Sequence, residues 1–451
     1  MFKALIDWFC GRSREHPPHP PGPGIEDLNR RAPLRDAAAA APATSTLLCR
    51  ETLLGRDQRV AGYRFMLRES TRNRIRRSSR IVHHVYAQVL TGSLLQADVA
   101  RLLGHRSAVV ELPDSFLGDD SVRRLPAANT VVAIERIPGE APAEPAVLLP
   151  QIRALRASGH RVALHAIGPG DIPPLLREEI NLVIIDSTGG DPQRTRALYA
   201  DLARLPHHVD TLALNLESLD DFHFFHTLGA TWFHGPFITR REDWSEREVA
   251  ANVGNARPLL QALQQDADNA RIIDLLKRSP AITLRLLRHA NSAAAGLSRE
   301  VHSIEDALQL VGRKRLLRWV TMALLTADAP DGRSHAALET SLVRARMLEL
   351  LGETSGRDAE TLFLLGLLSL VDVVMQVELG KALDALAVAD DIREALLHGG
   401  GEHAPMLRLA EAWERGDNER IETLAQTCGL SSEATAEAYM QALWWALDVT
   451  P

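Results

Sequence analysis

Residues 162–170 read Val-Ala-Leu-His-Ala-Ile-Gly-Pro-Gly, and this stretch is the clearest indication of the fold. An apolar run leads directly into a glycine-rich turn, which is typical of a buried strand that ends at the working face of a parallel β/α protein. A Mg²⁺ or Mn²⁺ site at such a strand end needs hard, anionic oxygen ligands. His165 and Ala166 present an imidazole and a methyl group instead. We therefore expect a β/α fold without a metal ion at this strand end.

Short apolar runs alternate with helical segments on both sides of this stretch, from Leu47 to about Glu248. Alternation over roughly 200 residues predicts a parallel barrel or a doubly wound sheet, and the number of strands favours the barrel. The predicted strands are Val60–Leu67, Ala108–Leu112, Thr130–Ile134, Arg161–Ala166, Leu182–Ile185, Thr211–Leu214 and Thr231–Phe233. The predicted helices between them include Leu148–Ser158, Pro173–Glu179, Gln193–Leu205 and Asp220–Leu228.

The strand signals end at about residue 250, and the rest of the chain has helical periodicity. Three helix starts are recognisable from their capping residues, at Ser279-Pro280, Ser303-Ile304-Glu305-Asp306 and Ser431-Ser432-Glu433. The second half is therefore predicted to be an α-helical bundle.

Composition excludes several classes of protein. A chain of 451 residues should form two or three domains. A net charge of −7 argues against coating of nucleic acid, which requires a basic face, so no nucleic-acid partner is expected. The three cysteines are scattered, which supports neither a disulfide framework nor a zinc site. We see no apolar run of about 18 residues and no secretory signal, so we expect a cytoplasmic protein.

Residues 1–45 differ in composition from the rest of the chain. Phe2, Leu5, Ile6 and Phe9 would share one face of a short amphipathic helix, which could dock on a membrane or a partner. A Pro- and Gly-rich stretch and an Ala-rich run come after it, and they are typical of a flexible linker. A disordered leader is the simpler interpretation and is preferred to membrane contact.

Two sets of motifs resemble known families. Residues 62–68, Gly-Tyr-Arg-Phe-Met-Leu-Arg, resemble the first strand of an EAL domain, the cyclic-di-GMP phosphodiesterase barrel, with Arg64 at the position of the motif glutamate. Residues 284–292 (Leu-Arg-Leu-Leu-Arg-His-Ala-Asn-Ser), 303–308 and 366–372 resemble an HDOD domain. The order is that of the EAL–HDOD signalling proteins. The resemblance implies a tail over 1–45, a TIM-like (β/α) EAL barrel over 46–250 and an HDOD bundle over 251–451.

The resemblance also implies which positions would form the barrel's centre. Active EAL barrels cleave a phosphodiester with two metal ions, held by carboxylates and an Asn at the strand ends. Three acids at family positions are kept here, and the other positions differ from the family. Arg64 replaces a Glu, Glu111 replaces an Asn, Ile184 replaces a Lys and His234 replaces a Gln. The pair His165-Ala166 replaces Asp-Asp. The kept acids are Glu135, Asp186 and Glu217.

The altered centre predicts loss of phosphodiesterase activity, with no catalytic residue, bound metal or cofactor. Arg64 would repel metal ions, and an ion pair from it to Glu135, Asp186 or Glu217 is expected. One alternative is a metal-independent cyclic-di-GMP receptor that uses Arg64, Arg68 and Glu217, because arginine forks match phosphate oxygens. A second is residual phosphodiesterase activity through the three acids. A zinc-type site at His165 and His234 is less favoured than ordinary packing.

The helical half is predicted to be a binding module. HDOD domains resemble HD-type metal phosphohydrolases without their His-Asp pair, and none of the 17 histidines here precedes an Asp. Protein partners are therefore expected, and the family implies proteins of cyclic-di-GMP or two-component signalling. The arginines between Arg68 and Arg80 form a basic patch that is interpreted as a solvated loop.

Overall fold

The computed structural model describes residues 48–67, 78–97, 99–135, 137, 139–265, 267–279, 282–283, 308–309, 312–328 and 331–449. These residues separate into a barrel unit, which runs to Arg240 and includes 412–419, and a helical unit formed by the other residues from Arg241 onward. The predicted tail, Arg68 with most of the basic patch, and the motifs at 284–292 and 303–307 lie outside the described residues.

Eight strands form a closed barrel in sequence order. The first strand, β1 (Leu48–Leu54), pairs antiparallel with both β2 (Val60–Leu67) and β8 (Trp232–Phe233), and all other neighbouring strands are parallel. The predicted barrel is confirmed, although its strands are not all parallel. The strands are β1 Leu48–Leu54, β2 Val60–Leu67, β3 Ser107–Leu112, β4 Thr130–Ile134, β5 Arg161–His165, β6 Leu182–Asp186, β7 Asp210–Leu214 and β8 Trp232–Phe233.

The sequence prediction missed β1, and the turn after it explains the antiparallel pairing. Only five residues, 55–59, join β1 to β2, whereas a parallel crossover needs a dozen or more. A hairpin is therefore the only arrangement this loop allows. It places Glu51 opposite Arg64.

The helices of the barrel unit follow the strands. The predicted helix Pro173–Glu179 is wrong, because this segment forms only the short 3-10 turn Pro174–Leu176; two adjacent prolines remove two backbone donors there. The helix after β7 begins with a capping box between Ser218 and Asp221. The helices are α1 Arg80–Gln96, α2 Val99–Leu103, α3 Asp120–Arg123, α4 Pro145–Ala157, α5 Pro192–Leu202 and α6 Leu219–Leu228.

The barrel interior changes from apolar to polar along its axis. Alternate residues of each strand point inward, and the lower layers are apolar; they contain Leu53, Val109, Val131, Ala133, Ala163, Leu182, Ile184, Leu212, Leu214 and Trp232. Two residues further toward the carboxyl ends of β3, β4, β5 and β6, the corresponding positions carry Glu111, Glu135, His165 and Asp186. These upper positions form the mouth of the barrel.

The helical unit is built around α10 (Gly332–Ser355), which packs against α11 (Ala359–Leu368) and α17 (Ser432–Val449). Gly366 of α11 makes the close approach possible, because a Cβ atom there would lie 2.4 Å from the backbone nitrogen of Ala345. The predicted start of the last helix is confirmed, since the Ser431 hydroxyl accepts a hydrogen bond from the Ala434 amide. The helices are α7 Ala251–Gln264, α8 Asn269–Lys277, α9 Arg313–Asp328, α10 Gly332–Ser355, α11 Ala359–Leu368, α12 Val371–Met375, α13 Leu379–Ala385, α14 Asp390–His398, α15 Ala404–Arg415, α16 Asn418–Cys428 and α17 Ser432–Val449.

None of the helices within the described ranges has the length and apolar character needed to cross a membrane.

Candidate functional site

A buried arginine occupies the mouth of the barrel. Arg64 of β2 is only 4% exposed. Its Nη1 donates to Glu51 Oε2 at 2.6 Å, and its Nε and Nη2 donate to the two Glu111 carboxylate oxygens at 3.1 and 3.0 Å. The guanidinium is therefore held by two carboxylates from the strands on either side of β2, one of them in the bidentate geometry that guanidinium groups favour.

Two histidines extend this arrangement at both ends. His165 Nε2 lies 3.3 Å from Glu111 Oε1, and His234 Nε2 lies 3.6 Å from Glu51 Oε2. The resulting chain of five side chains, which we call the mouth network, runs across the barrel mouth. Its members are His234, Glu51, Arg64, Glu111 and His165.

The charges of the mouth network stabilise one another. Burial on its own would lower the pKa of the Arg64 guanidinium, but Glu111 and Glu51 outweigh it and the pKa is raised. Burial would likewise raise the pKa of the Glu111 carboxyl, but Arg64 and His165 hold that pKa well below its usual range. Arg64 and Glu111 are therefore both charged at neutral pH.

The three kept acids are not the partners of Arg64, so the predicted ion pairs were wrong. Glu135 meets His83, whose Nδ1 lies 3.0 Å from Glu135 Oε2. Asp186 accepts hydrogen bonds from the Thr188 amide and the Asn215 side chain, both at 2.9 Å. The reason is register: Glu51 lies directly opposite Arg64 on β1, and Glu111 lies on the adjoining strand β3.

The remaining predicted positions contribute little polar chemistry to the mouth. Ala166 and Ile184 are buried apolar residues. The Glu217 side chain is exposed, while its backbone carbonyl accepts a hydrogen bond from Arg240 at 2.8 Å. Of the predicted positions, Arg64, Glu111, His165 and His234 therefore come together in the mouth network. Glu51 is the member that sequence reasoning missed.

The residues at the mouth do not fit the two metal ions that an active EAL barrel would hold. The carboxylates best placed to bind a cation, those of Glu51 and Glu111, already bind the guanidinium of Arg64. A divalent ion beside that guanidinium would be repelled by its positive charge. Within the described part of the chain, no group of three or more His, Cys, Asp and Glu side chains is arranged to hold a metal ion.

Comparison with known proteins identifies the helical region. The family model described as HDOD domain matches residues 255–402. This chain contains an HDOD domain. The match confirms the predicted HDOD domain over residues 255–402, and this domain follows a closed eight-stranded barrel, as expected.

Two curated proteins resemble larger parts of the chain. Uncharacterized protein YuxH of Bacillus subtilis (strain 168) is 24% identical over 413 residues, which cover 88% of this chain and 97% of YuxH. Cyclic di-GMP phosphodiesterase CdgJ of Vibrio cholerae serotype O1 is 26% identical over 241 residues, which cover 53% of this chain and 56% of CdgJ. The second match therefore spans only about half the length of CdgJ.

Among solved structures, the chain is similar to a standalone EAL protein from Vibrio cholerae O395 in its c-di-GMP-bound form. The TM-score is 0.34 at 16% identity, and the similarity covers 42% of this chain and 89% of that protein.

Proposed function

We propose that this chain is a non-catalytic signal-transduction protein. A degenerate EAL-like barrel, over residues 46–250, is fused to an HDOD domain, over 251–451, and the protein acts by binding other proteins of cyclic-di-GMP-related or two-component signalling. The observation that carries this proposal is the position of Arg64 between Glu51 and Glu111.

The position of Arg64 bears on catalysis because two-metal hydrolysis needs carboxylates that are free to hold cations. The cation at this mouth is covalently part of the protein, so it cannot be exchanged for a metal ion. Three hydrogen bonds to two carboxylates hold it in place. A guanidinium also does not coordinate water as a metal ion does, so it does not generate the hydroxide nucleophile of the two-metal reaction.

The link to cyclic-di-GMP is supported by a relative. CdgJ is named a cyclic di-GMP phosphodiesterase and shares 26% identity with about half of this chain. Two alternatives from the resemblance remain as outcomes of the test: a metal-independent cyclic-di-GMP receptor, and residual phosphodiesterase activity through Glu135, Asp186 and Glu217.

Isothermal titration calorimetry on the full chain separates these functions. Cyclic-di-GMP is titrated with and without Mg²⁺ or Mn²⁺, and the cell contents are then analysed for the linear dinucleotide. We expect neither heat of binding nor cleavage. A heat of cyclic-di-GMP binding in the absence of metal would favour the receptor. In that case the heat should be lost in Arg64→Ala and kept in the control Arg123→Ala, which changes an exposed residue. Metal-dependent cleavage would overturn the non-catalytic proposal.

A further inference from the structure

The segment Arg241–Glu248, which we call the strap, precedes the HDOD match but packs as part of the helical unit. It has no helix or strand, and the HDOD match begins only at residue 255. Its attachment therefore depends on side-chain contacts.

The first contact is an ion pair with unequal partners. Arg241 Nε lies 2.7 Å from Asp372 Oδ2, where the arginine side chain is 53% exposed and the aspartate side chain 3%. Arg241 Nη2 also donates to the Ser369 carbonyl at 3.4 Å. A half-exposed guanidinium thus neutralises a carboxylate that is almost fully removed from water.

The rest of the strap is held by one aromatic residue and several polar contacts. Trp244 is buried, and the buried guanidinium of Arg333 lies 6.0 Å from the centre of its ring. Three contacts complete the attachment: Arg333 Nη2 with Glu242 at 3.7 Å, Arg247 with the Gln376 side-chain oxygen, and Lys381 Nζ with the Ser245 carbonyl at 2.7 Å.

The Arg241–Asp372 pair adds little net stability despite its short distance. Burial raises the pKa of the Asp372 carboxyl, and the charge of Arg241 only partly offsets this effect. A buried ion pair contributes little net stability, whereas loss of one partner leaves an uncompensated charge. Because Arg241 is half-exposed, its pairing is also weakened by solvent. Opening of the pair therefore costs little only if the Asp372 carboxylate gains water as Arg241 leaves.

We propose that the strap is a two-state device: it is closed when Arg241 pairs with Asp372, and it opens when Arg241 leaves and the Asp372 carboxylate beside α12 gains water. Arg240, the preceding residue, belongs to the barrel unit and donates to the Glu217 carbonyl just after β7. A ligand or partner that moves Glu217 would therefore act on the strap through the Arg240–Arg241 peptide bond. It shifts the equilibrium between the closed and open strap only if it binds these two states with different affinity.

Hydrogen–deuterium exchange measured by mass spectrometry on the full chain tests this device. In Arg241→Ala we expect peptides from the strap and α12 to exchange about tenfold faster, because an unpaired buried charge favours the open state. Asp372→Asn removes that charge, so exchange in Arg241→Ala/Asp372→Asn should return toward the wild-type rate. The control is Arg278→Ala, which breaks an exposed ion pair between Arg278 and Asp274. That pair has the same 2.7 Å distance as Arg241–Asp372, and its loss should leave the exchange rate of the strap unchanged.

A further variant tests the link to the barrel unit. Arg240→Ala should change exchange in the strap while exchange in α10 and α17 stays at the wild-type rate, which also shows that the helical unit is folded. Equal strap exchange in wild type and Arg241→Ala, or no recovery in the double variant, would overturn the two-state strap. An unchanged strap in Arg240→Ala would overturn the link. These readouts do not depend on cyclic-di-GMP, so they succeed or fail independently of the proposed function.

Discussion

Replacement of Arg64 by Met should strongly destabilise the barrel unit. The change keeps an unbranched apolar side chain of similar length but removes three hydrogen bonds and the positive charge between Glu51 and Glu111. Removing one partner of a buried ion pair costs about 3–5 kcal/mol. The side chains of Glu111 and Glu51 are 16% and 28% exposed, so water relieves part of the penalty. We therefore expect a loss of about 3 kcal/mol.

Native-state hydrogen exchange of amides in β2 and β3 measures this loss within the barrel unit. A unit-specific method is needed because a chain with two units does not unfold in one step. Arg64→Lys keeps the charge but loses the fork geometry and should cost about 1–2 kcal/mol. The control Arg123→Ala breaks an exposed pair with Asp120 and should cost less than about 1 kcal/mol. If Arg64→Met costs no more than this control, the mouth network does not hold the barrel together and our reasoning is refuted.

Two further predictions concern acid stability and helix packing. Arg64 and His165 hold the pKa of Glu111 well below its usual 4.5 despite burial. The ionised Glu111 carboxylate therefore contributes its full stabilisation of the folded state above pH 4.5, and this contribution is lost as the pH falls toward the lowered pKa. Acid unfolding of Glu111→Gln should therefore depend less steeply on pH than that of wild type, and parallel curves would contradict this. Gly366→Ala should cost about 1–3 kcal/mol in chemical denaturation, because its methyl group would meet the backbone of α10. At Gly254 an added Cβ atom would meet no heavy atom within 4 Å apart from the backbone of its own helix. Gly254→Ala should therefore stabilise α7 by about 0.5–1 kcal/mol; equal effects of the two substitutions would refute the packing argument.

The sequence predicts most strands of the barrel but not the first. Strands β2 to β8 are apolar runs bounded by turns, and such runs are recognisable without knowledge of their neighbours. In β1, the polar residues Arg50, Glu51 and Thr52 interrupt the apolar pattern. Their character is explained only by the pairing with β2 and by the position of Glu51 at the mouth.

The members of the site were easier to predict than their contacts. The resemblance to EAL domains assigns Arg64, Glu111, His165 and His234 to the centre of the barrel, and such positions meet at one face. Which acid binds Arg64 depends on strand register and direction of pairing, and chain spacing does not fix these. The antiparallel β1 supplies Glu51, so the predicted partners Glu135, Asp186 and Glu217 were wrong.

The most direct test of the account is a single-turnover assay with the full chain in excess over cyclic-di-GMP, in Mg²⁺ and in Mn²⁺. Chromatography of the nucleotide then measures whether the ring has been opened, even by a very slow enzyme. A mouth whose carboxylates are bound to Arg64 predicts no linear dinucleotide above the protein-free blank with either metal. Metal-dependent ring opening, unchanged in Arg123→Ala and abolished in Glu135→Gln, would contradict the account.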